Sequence, residues 1–261
     1  MIDTHCHLTF PDFAGRVDEV MDEASSAGVT GAITISTTTE DCLDALAIAR
    51  SHDRVWCSAG VHPLHSAELG PEPAWGNLRV CGEDARCVAW GELGLDLHYD
   101  GPHRATQGPV LEAQLAWLER WTGEGLAKPV VLHCREAFAE LIPILKRSSL
   151  PSDGFVFHCF TGGPDEVRAC LDFGAMVSFT GVATYKNAEA VRDAAGLVPD
   201  DRIMVETDAP FLSPEPKRGV RPCQPAFVAH TARRLADVRG VAFEVFHEQL
   251  NANTRRFFGV G

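Results

Sequence analysis

The chain alternates short apolar runs with amphipathic segments of helical length from one end to the other. Eight runs rich in β-branched residues predict strands, at the opening residues, 31–36, 55–60, 87–90, 130–133, 155–158, 175–180 and 203–207. This alternation is typical of βαβ units and a parallel sheet. Eight strands with seven crossovers in 261 residues predict an α/β fold, a closed (β/α)8 barrel of the TIM type, with an open doubly wound sheet as the alternative.

The region after the eighth predicted strand breaks this alternation. Residues 209–225 hold five prolines and no periodic pattern, which predicts a loop of about seventeen residues on the functional rim. Two extra C-terminal helices, at about 226–237 and 243–257, are predicted to pack outside the barrel or to close its bottom. A hydrophobic content of 45% allows one large core, so we expect a single domain over residues 1–261.

Charge and cysteine usage limit the surroundings and partners of the chain. A net charge of −13 disfavours a surface that grips nucleic acid over many phosphates, although bound divalent metals would supply local positive charge. The nine scattered cysteines, without a Cys-x-x-Cys spacing, fit reduced thiols. The first residues carry no signal-peptide pattern, and no apolar run is long enough to span a bilayer. We therefore expect a cytoplasmic protein with no membrane contact, and nothing indicates an obligate protein partner.

Metal-ligand residue types recur where predicted strands end. In a strand, His5 and His7 point to the same face while Cys6 points away. Side chains at the C-terminal ends of barrel strands converge on one pocket. Six of the eight predicted strands end in such residues: His5, His7, His62, Glu92, His133, His158 and Asp208. Scattered core histidines would not select the same structural position each time, so a metal site is predicted.

The number of candidate ligands suggests two ions. Four histidines and two carboxylates exceed one tetrahedral shell but suit two divalent ions that share a carboxylate and a water. The most economical arrangement places His5, His7 and Asp208 on one ion and His133 and His158 on the other, with Glu92 between them. Imidazoles favour Zn²⁺ or Mn²⁺ over Mg²⁺, which remains a candidate. We expect hydrolysis, with Asp208 as the base and Glu92 as the second catalytic carboxylate.

Three cysteines adjoin the candidate ligands in sequence. Cys6, Cys134 and Cys159 each stand next to a histidine of the predicted site. Alternation along a strand is expected to turn all three toward the helix layer. They are therefore poor ligand candidates.

The motifs resemble those of the TatD-type metal-dependent deoxyribonucleases, a branch of the amidohydrolase-like barrels. They run in family order over nearly the whole chain: 2–7 (Ile-Asp-Thr-His-Cys-His), 60–63 (Gly-Val-His-Pro), 91–96 (Gly-Glu-Leu-Gly-Leu-Asp), 132–135 (Leu-His-Cys-Arg), 158–162 (His-Cys-Phe-Thr-Gly), 185–187 (Tyr-Lys-Asn) and 206–212 (Glu-Thr-Asp-Ala-Pro-Phe-Leu). The resemblance implies the same six ligands and cleavage of DNA phosphodiesters, typically from the 3′ end. It also implies that Arg135 and His62 lie near the substrate phosphate.

The sequence departs from the family pattern in the long loop. Where the family commonly follows an Arg-Gly pair with Asn-Glu-Pro, residues 218–225 read Arg-Gly-Val-Arg-Pro-Cys-Gln-Pro. The cations of this loop, Lys217, Arg218 and Arg221, together with Lys186, are candidates for holding a phosphate backbone over the metals. The alternative for these cations is a solvated loop whose charges serve solubility.

Two other functions compete with a nuclease acting on single strands or 3′ ends of DNA. The same two metals could serve a hydrolase of small esters, lactones, amides or phosphate esters, because barrel folds host many reactions. The acidic composition and the altered loop favour this alternative somewhat. A non-catalytic binding protein is the third interpretation, and the full set of ligand types argues against it.

Overall fold

The computed structural model describes residues 1–70 and 73–261, and in these residues eight strands form one parallel sheet in sequence order. The strands are β1 (Ile2–Cys6), β2 (Gly31–Thr34), β3 (Val55–Ala59), β4 (Cys87–Asp96), β5 (Val130–Arg135), β6 (Phe155–Phe157), β7 (Met176–Phe179) and β8 (Ile203–Val205). The helices are α1 (Val17–Ser26), α2 (Asp41–Ser51), α3 (Trp75–Gly82), α4 (His103–Gly123), α5 (Phe138–Leu145), α6 (Pro164–Phe173), α7 (Glu189–Leu197), α8 (Val228–Arg239) and α9 (Phe243–Phe258).

The sheet closes on itself between β1 and the residues that follow β8. The His7 N–H donates to the Ala209 carbonyl at 2.7 Å, and the Asp208 N–H donates to the His5 carbonyl at 2.9 Å. The buried Asp3 carboxylate accepts hydrogen bonds from the Thr207 N–H at 2.9 Å and the Thr207 hydroxyl at 2.5 Å. The predicted (β/α)8 barrel is confirmed, and the open doubly wound sheet is excluded by this closure.

Apolar side chains fill both sides of the barrel wall. The larger core lies between the sheet and the helices. A second cluster draws one or two residues from each of seven strands and so fills the barrel interior, where Phe258 and Val260 from the end of the chain pack against it. The two predicted C-terminal helices are present, and the end of α9 contributes to closing the barrel, as one of the sequence alternatives proposed.

Strand β4 is longer than predicted, which changes the position of Glu92. The strand continues through Asp96 rather than ending at Trp90, with a shift of register against β5 between Trp90 and Leu93. Gly94 permits this pairing, because its φ is 150° and a Cβ there would lie 1.9 Å from the His133 carbonyl oxygen. Glu92 therefore projects from within β4 and not from its end.

The long loop is present as predicted. Strand β8 ends at Val205 and α8 begins at Val228, and a single 3-10 turn, Pro225–Phe227, lies between them. Helix α5 is shorter than the predicted 136–147, because Glu136 adopts a left-handed φ of 54° and so cannot belong to the helix. Across residues 1–70 and 73–261, every helix is too short or too polar to cross a bilayer.

Candidate metal centre

The barrel brings all seven predicted strand-end residues to one place. His5, Glu92 and His133 lie on β1, β4 and β5, and the other four follow the ends of β1, β3, β6 and β8. Five of the seven, all but His133 and Asp208, are more than nine-tenths buried. Closure of the parallel barrel makes their convergence possible, because the carboxyl ends of all the strands meet at one rim.

The Glu92 carboxylate lies at the middle of the cluster. Its Oε2 is 2.9 Å from Nε2 of His158 and 3.1 Å from Nε2 of His5, while its Oε1 is 3.1 Å from Nε2 of His62. The rings of His5 and His158 stack at 3.9 Å between centroids. One carboxylate thus faces imidazoles on both of its oxygens, and its position between two ions stays a prediction.

A first group of possible ligand atoms lies on the β1 and β8 side. Nε2 of His5 and Nε2 of His7 are 3.3 Å apart. Oδ1 of Asp208 is 3.4 Å from Nε2 of His7 and 3.7 Å from Nε2 of His5. These three residues are close enough together to bind one ion. The structure therefore groups them as the sequence did.

A second group lies on the β5 and β6 side. Nδ1 of His133 is 3.4 Å from Nε2 of His158 and 3.0 Å from Nε2 of His62. His62, Glu92 and His133 are likewise close enough together to bind one ion. The sequence counted His62 among the strand-end residues of metal-ligand type, but the resemblance placed it near a substrate phosphate. The position of its ring proton decides whether it fits a metal ligand or a hydrogen-bond donor to the phosphate.

The hydrogen bonds of His62 favour a donor and not a metal ligand. The Leu64 N–H donates to Nδ1 of His62 at 3.1 Å, which uses the lone pair of that nitrogen. Burial and the neighbouring His133 lower the pKa of His62 well below its usual value, so the ring is neutral. The single ring proton must therefore be on Nε2, which points into the cluster. An N–H in that position can donate to a phosphate oxygen.

His133 has the opposite arrangement. Its Nε2 lies 3.0 Å from Oδ2 of the fully buried Asp96, which also accepts the N–H groups of His98 and Tyr99. Burial raises the pKa of Asp96, but the hydrogen bonds from His133 and these N–H groups lower it to about 2. An ionised carboxylate only accepts, so the proton of His133 is on Nε2 and the Nδ1 lone pair faces the cluster.

Two further histidines are oriented in the same way. Nδ1 of His7 donates to the Ile35 carbonyl at 3.0 Å, and Nδ1 of His158 lies 3.3 Å from Oε1 of Glu206. Glu206 is itself fixed, because it accepts hydrogen bonds from Ser178 Oγ at 2.7 Å and the Cys159 N–H at 2.6 Å. Once either ring has lost its second proton, Nε2 is left with its lone pair toward the cluster, as metal-ligating histidines require.

A buried carboxylate oxygen without a hydrogen bond shows that the donor set fits cations. Within residues 1–70 and 73–261, Oε2 of Glu92 is buried and accepts no hydrogen bond, although Nε2 of His158 and Nε2 of His5 lie within 3.1 Å of it. Burial raises the pKa of Glu92, but His158, His62 and His5 lower it well below its usual value. Burial lowers the pKa of His158, yet Glu92 and Glu206 raise it well above its usual value. The buried carboxylates therefore favour positive charge at this point, which divalent ions would supply.

Sequence reasoning assigned no role to Asp96 and Glu206, although both lie in the quoted motifs. Their partners, His133 and His158, are 37 and 48 residues away along the chain. A signal was present for Asp96, because it follows Glu92 by four residues and strand alternation places both on one face. For Glu206 the only signal was a second buried acid two residues before Asp208.

Three of the cations predicted to bind substrate lie against an aromatic ring or face solvent. Arg135 lies 5.0 Å from the Tyr99 ring centroid, and Arg218 lies 3.4 Å from that of Tyr185. Lys186 is exposed. In the described part of the chain none of the three pairs with a carboxylate, so their charges are available to a ligand.

The three cysteines do not all behave as expected. Cys6 and Cys134 are buried in the core beneath the helices, as predicted. Cys159 is partly exposed, whereas the other eight cysteines are buried. Strand β6 ends at Phe157 and Cys159 has a φ of 44°, so the alternation of a strand does not extend to this residue.

An eight-stranded barrel with imidazoles and carboxylates gathered at its C-terminal rim defines a barrel enzyme with a site suited to divalent ions. The chain belongs to the TatD-related DNase family, whose sequence profile matches residues 2–259. The family resemblance and the predicted hydrolase class are thereby confirmed.

Relatives match over the full length of the chain. A protein named 3'-5' ssDNA/RNA exonuclease TatD, from Enterobacter lignolyticus strain SCF1, is 36% identical over 264 residues, which cover 100% of this chain and 99% of the relative. YcfH of Escherichia coli K12, an uncharacterized metal-dependent hydrolase, is 35% identical and covers 100% and 96%. The crystal structure of YjjV, a TatD homolog from Escherichia coli K12, superposes with a TM-score of 0.92 at 30% identity, covering 100% and 98%.

Proposed function

We propose that this chain is a divalent-metal-dependent nuclease that hydrolyses phosphodiester bonds from the 3′ end of single-stranded DNA. The observation that carries the proposal is the convergence of histidine lone pairs on the Glu92 carboxylate at the rim of the barrel. The name of the relative from Enterobacter lignolyticus supports the substrate and the direction.

We propose that two divalent ions are held here, with His5, His7 and Asp208 on one and His133 and His158 on the other. Glu92 lies between the two groups. The nitrogen donors favour Zn²⁺ or Mn²⁺, and Mg²⁺ is the third candidate. Ions bound here would polarise the phosphate and make a bound water more acidic.

The protein side chains supply the remaining chemistry. Burial raises the pKa of Asp208, but His7 and His5 lower it below its usual value, so this carboxylate is ionised. Its side chain is 15% exposed, which lets it take a proton from an attacking water at the mouth. His62 donates its Nε2–H to a phosphate oxygen. Arg135, Lys186 and Arg218 place positive charge for the neighbouring phosphates.

The test is hydrolysis of a 5′-labelled single strand with Mg²⁺, Mn²⁺ or Zn²⁺ added in turn. The wild-type protein should shorten the strand from its 3′ end, and His133→Ala should lose this activity. His52→Ala is the matched control, because His52 follows α2 and pairs with Asp18 on the surface. Full activity of the His133→Ala variant would overturn the mechanism.

Hydrolysis of small esters, lactones, amides or phosphate esters is the second candidate, which the net charge of −13 favours. A panel containing p-nitrophenyl esters and bis-p-nitrophenyl phosphate distinguishes it from nuclease activity. Turnover of a small substrate far faster than that of DNA would favour this candidate.

We also propose a cytoplasmic location. All nine cysteines are free thiols, and eight of them are buried. Free thiols in this number persist in a reducing compartment.

A further inference from the structure

Cations without acidic partners extend from the long loop onto α8. Elsewhere on the surface, arginines such as Arg50, Arg79 and Arg147 pair with carboxylates. Lys217 of the loop and Arg233 of α8 are exposed and contact aromatic rings instead. Within residues 1–70 and 73–261, neither forms an ion pair. In a chain with a net charge of −13, this concentration of free positive charge needs a physical explanation.

These cations and rings form two neighbouring groups of contacts. Nζ of Lys217 lies 5.8 Å from the Phe227 ring centroid, and the Phe227 and His230 ring centroids are 6.4 Å apart. The Arg233 guanidinium lies 4.0 Å from the ring centroid of Phe243 in α9. Phe227 directly precedes α8, and His230 and Arg233 follow it at intervals of three residues, so the three side chains project from neighbouring positions at the start of this helix. We call these five residues the α8 stripe.

His230 lies within electrostatic range of both cations of the stripe. Burial and the charges of Lys217 and Arg233 lower its pKa, so both cations lie near a ring that is neutral at pH 7. The stripe therefore offers two positive charges with flat rings between and beside them, each of them partly or fully exposed. Proteins that bind single strands use this combination, in which cations contact phosphates and rings stack on bases.

The stripe begins near the mouth of the barrel and has a defined far end. Lys217 adjoins Arg218, whose guanidinium covers Tyr185, in the loop that starts beside His7 at Ala209. From Phe227 to Arg233 the helix rises about 9 Å, at roughly 1.5 Å per residue. Beyond Phe243 the exposed acids Glu244 and Glu248 would repel a phosphate backbone.

We propose that the α8 stripe binds the part of a single nucleic-acid strand that lies 5′ of the nucleotide being removed. The proposal rests on the function proposed above, because a 3′ end held at the metal centre leaves the rest of the strand outside the mouth. Phosphates of that segment contact Lys217 and Arg233, and its bases stack on Phe227 and His230, while the Phe243 ring, which also stacks on His247, holds the Arg233 guanidinium in place.

The test compares kcat and KM for a 5′-labelled dinucleotide and a 12-nucleotide strand. Arg233→Glu should raise KM for the longer strand by about tenfold and leave kcat unchanged, since phosphate contacts dominate the affinity for single strands. For the dinucleotide, kcat and KM of the Arg233→Glu variant should each differ from the wild-type values by less than twofold. The slope of log KM against log salt should fall by about 0.7 for each phosphate that the variant no longer neutralises. Phe227→Leu, which keeps an apolar side chain in the same packing, should raise KM for the longer strand alone.

Arg120→Glu is the matched control. Arg120 is an exposed helical arginine 5.4 Å from the Trp117 ring centroid, outside the stripe. If Arg120→Glu and Arg233→Glu change KM for the longer strand equally, the stripe proposal is overturned. Failure of the proposed function would look different, because the wild-type protein would then cleave no strand with any metal. In that case, fluorescence anisotropy of a labelled 12-nucleotide strand would test whether the α8 stripe binds single strands. Equal affinity of the wild-type protein and the Arg233→Glu variant would overturn the proposal.

Discussion

Replacing Asp96 by asparagine tests how His133 is oriented for metal binding. Asp96 is fully buried, and its Oδ2 accepts a hydrogen bond from the Nε2–H of His133 at 3.0 Å. Asparagine keeps one oxygen for the N–H groups of His98 and Tyr99, so its amide NH2 must face His133. An NH2 group donates, which forces the ring proton onto Nδ1, the atom that points at His158 and His62. His133 is then in the wrong tautomer to bind an ion.

The loss should appear as weaker metal binding with the fold retained. Loss of such a carboxylate partner weakens metal affinity by about 10- to 100-fold, or about 1.4–2.7 kcal/mol. Calorimetric titration of the metal-free protein with Mn²⁺ measures this change, and the fall in nuclease activity should follow it. Asp84→Asn is the control, because Asp84 also accepts a backbone N–H but lies on the surface beside Arg50. Wild-type Mn²⁺ affinity in the Asp96→Asn variant would refute the tautomer argument.

Three further predictions concern other parts of the barrel. His62→Ala should keep Mn²⁺ affinity within about threefold but lower kcat about 100-fold, as loss of a hydrogen-bond donor to a transition state does; a large loss of affinity would make His62 a ligand. Gly94→Ala should lower the free energy of unfolding by about 2–4 kcal/mol in urea titration, because a Cβ there would lie 1.9 Å from the His133 carbonyl oxygen. As the control, Gly196→Ala in α7, with open space around it, should instead stabilise by about 0.5–1 kcal/mol. In the metal-free protein, burial lowers the pKa of His7 and of His158, but Asp208 raises the first and Glu92 raises the second above its usual value. The protonated histidines therefore stabilise the fold below pH 6.5, and this contribution is lost as the pH rises. Mn²⁺ must displace those protons, so its effect on the melting temperature should be larger at pH 8 than at pH 6; an equal effect would contradict this.

The sequence predicts the barrel because its signals are local and repeated. Each strand and helix shows its own periodicity, and the closed topology follows from their number and order. The same reasoning predicts which residues gather at the candidate metal centre, since strand ends meet at one rim whatever the details of the loops. The family motifs agree with this placement at every one of the six predicted ligands.

The finer features depend on contacts between distant residues, which no local pattern encodes. The proton position of His62 depends on the Leu64 N–H, and that of His133 on Asp96. The length of β4 depends on how closely the backbone at Gly94 approaches β5. Cys159 differs from Cys134 because β6 ends two residues before Cys159, whereas β5 continues through Cys134 to Arg135. The ends of strands are harder to predict from a sequence than the strands themselves.

The proposed chemistry requires two divalent ions, one on either side of the Glu92 carboxylate. Anomalous diffraction at the manganese edge, from crystals grown with Mn²⁺, locates such ions without reference to activity. We predict two peaks about 3.5–4 Å apart, one beside His5, His7 and Asp208 and the other beside His133 and His158. A map with no peak within reach of Glu92, or with Mn²⁺ bound only elsewhere on the barrel, would contradict the two-ion centre.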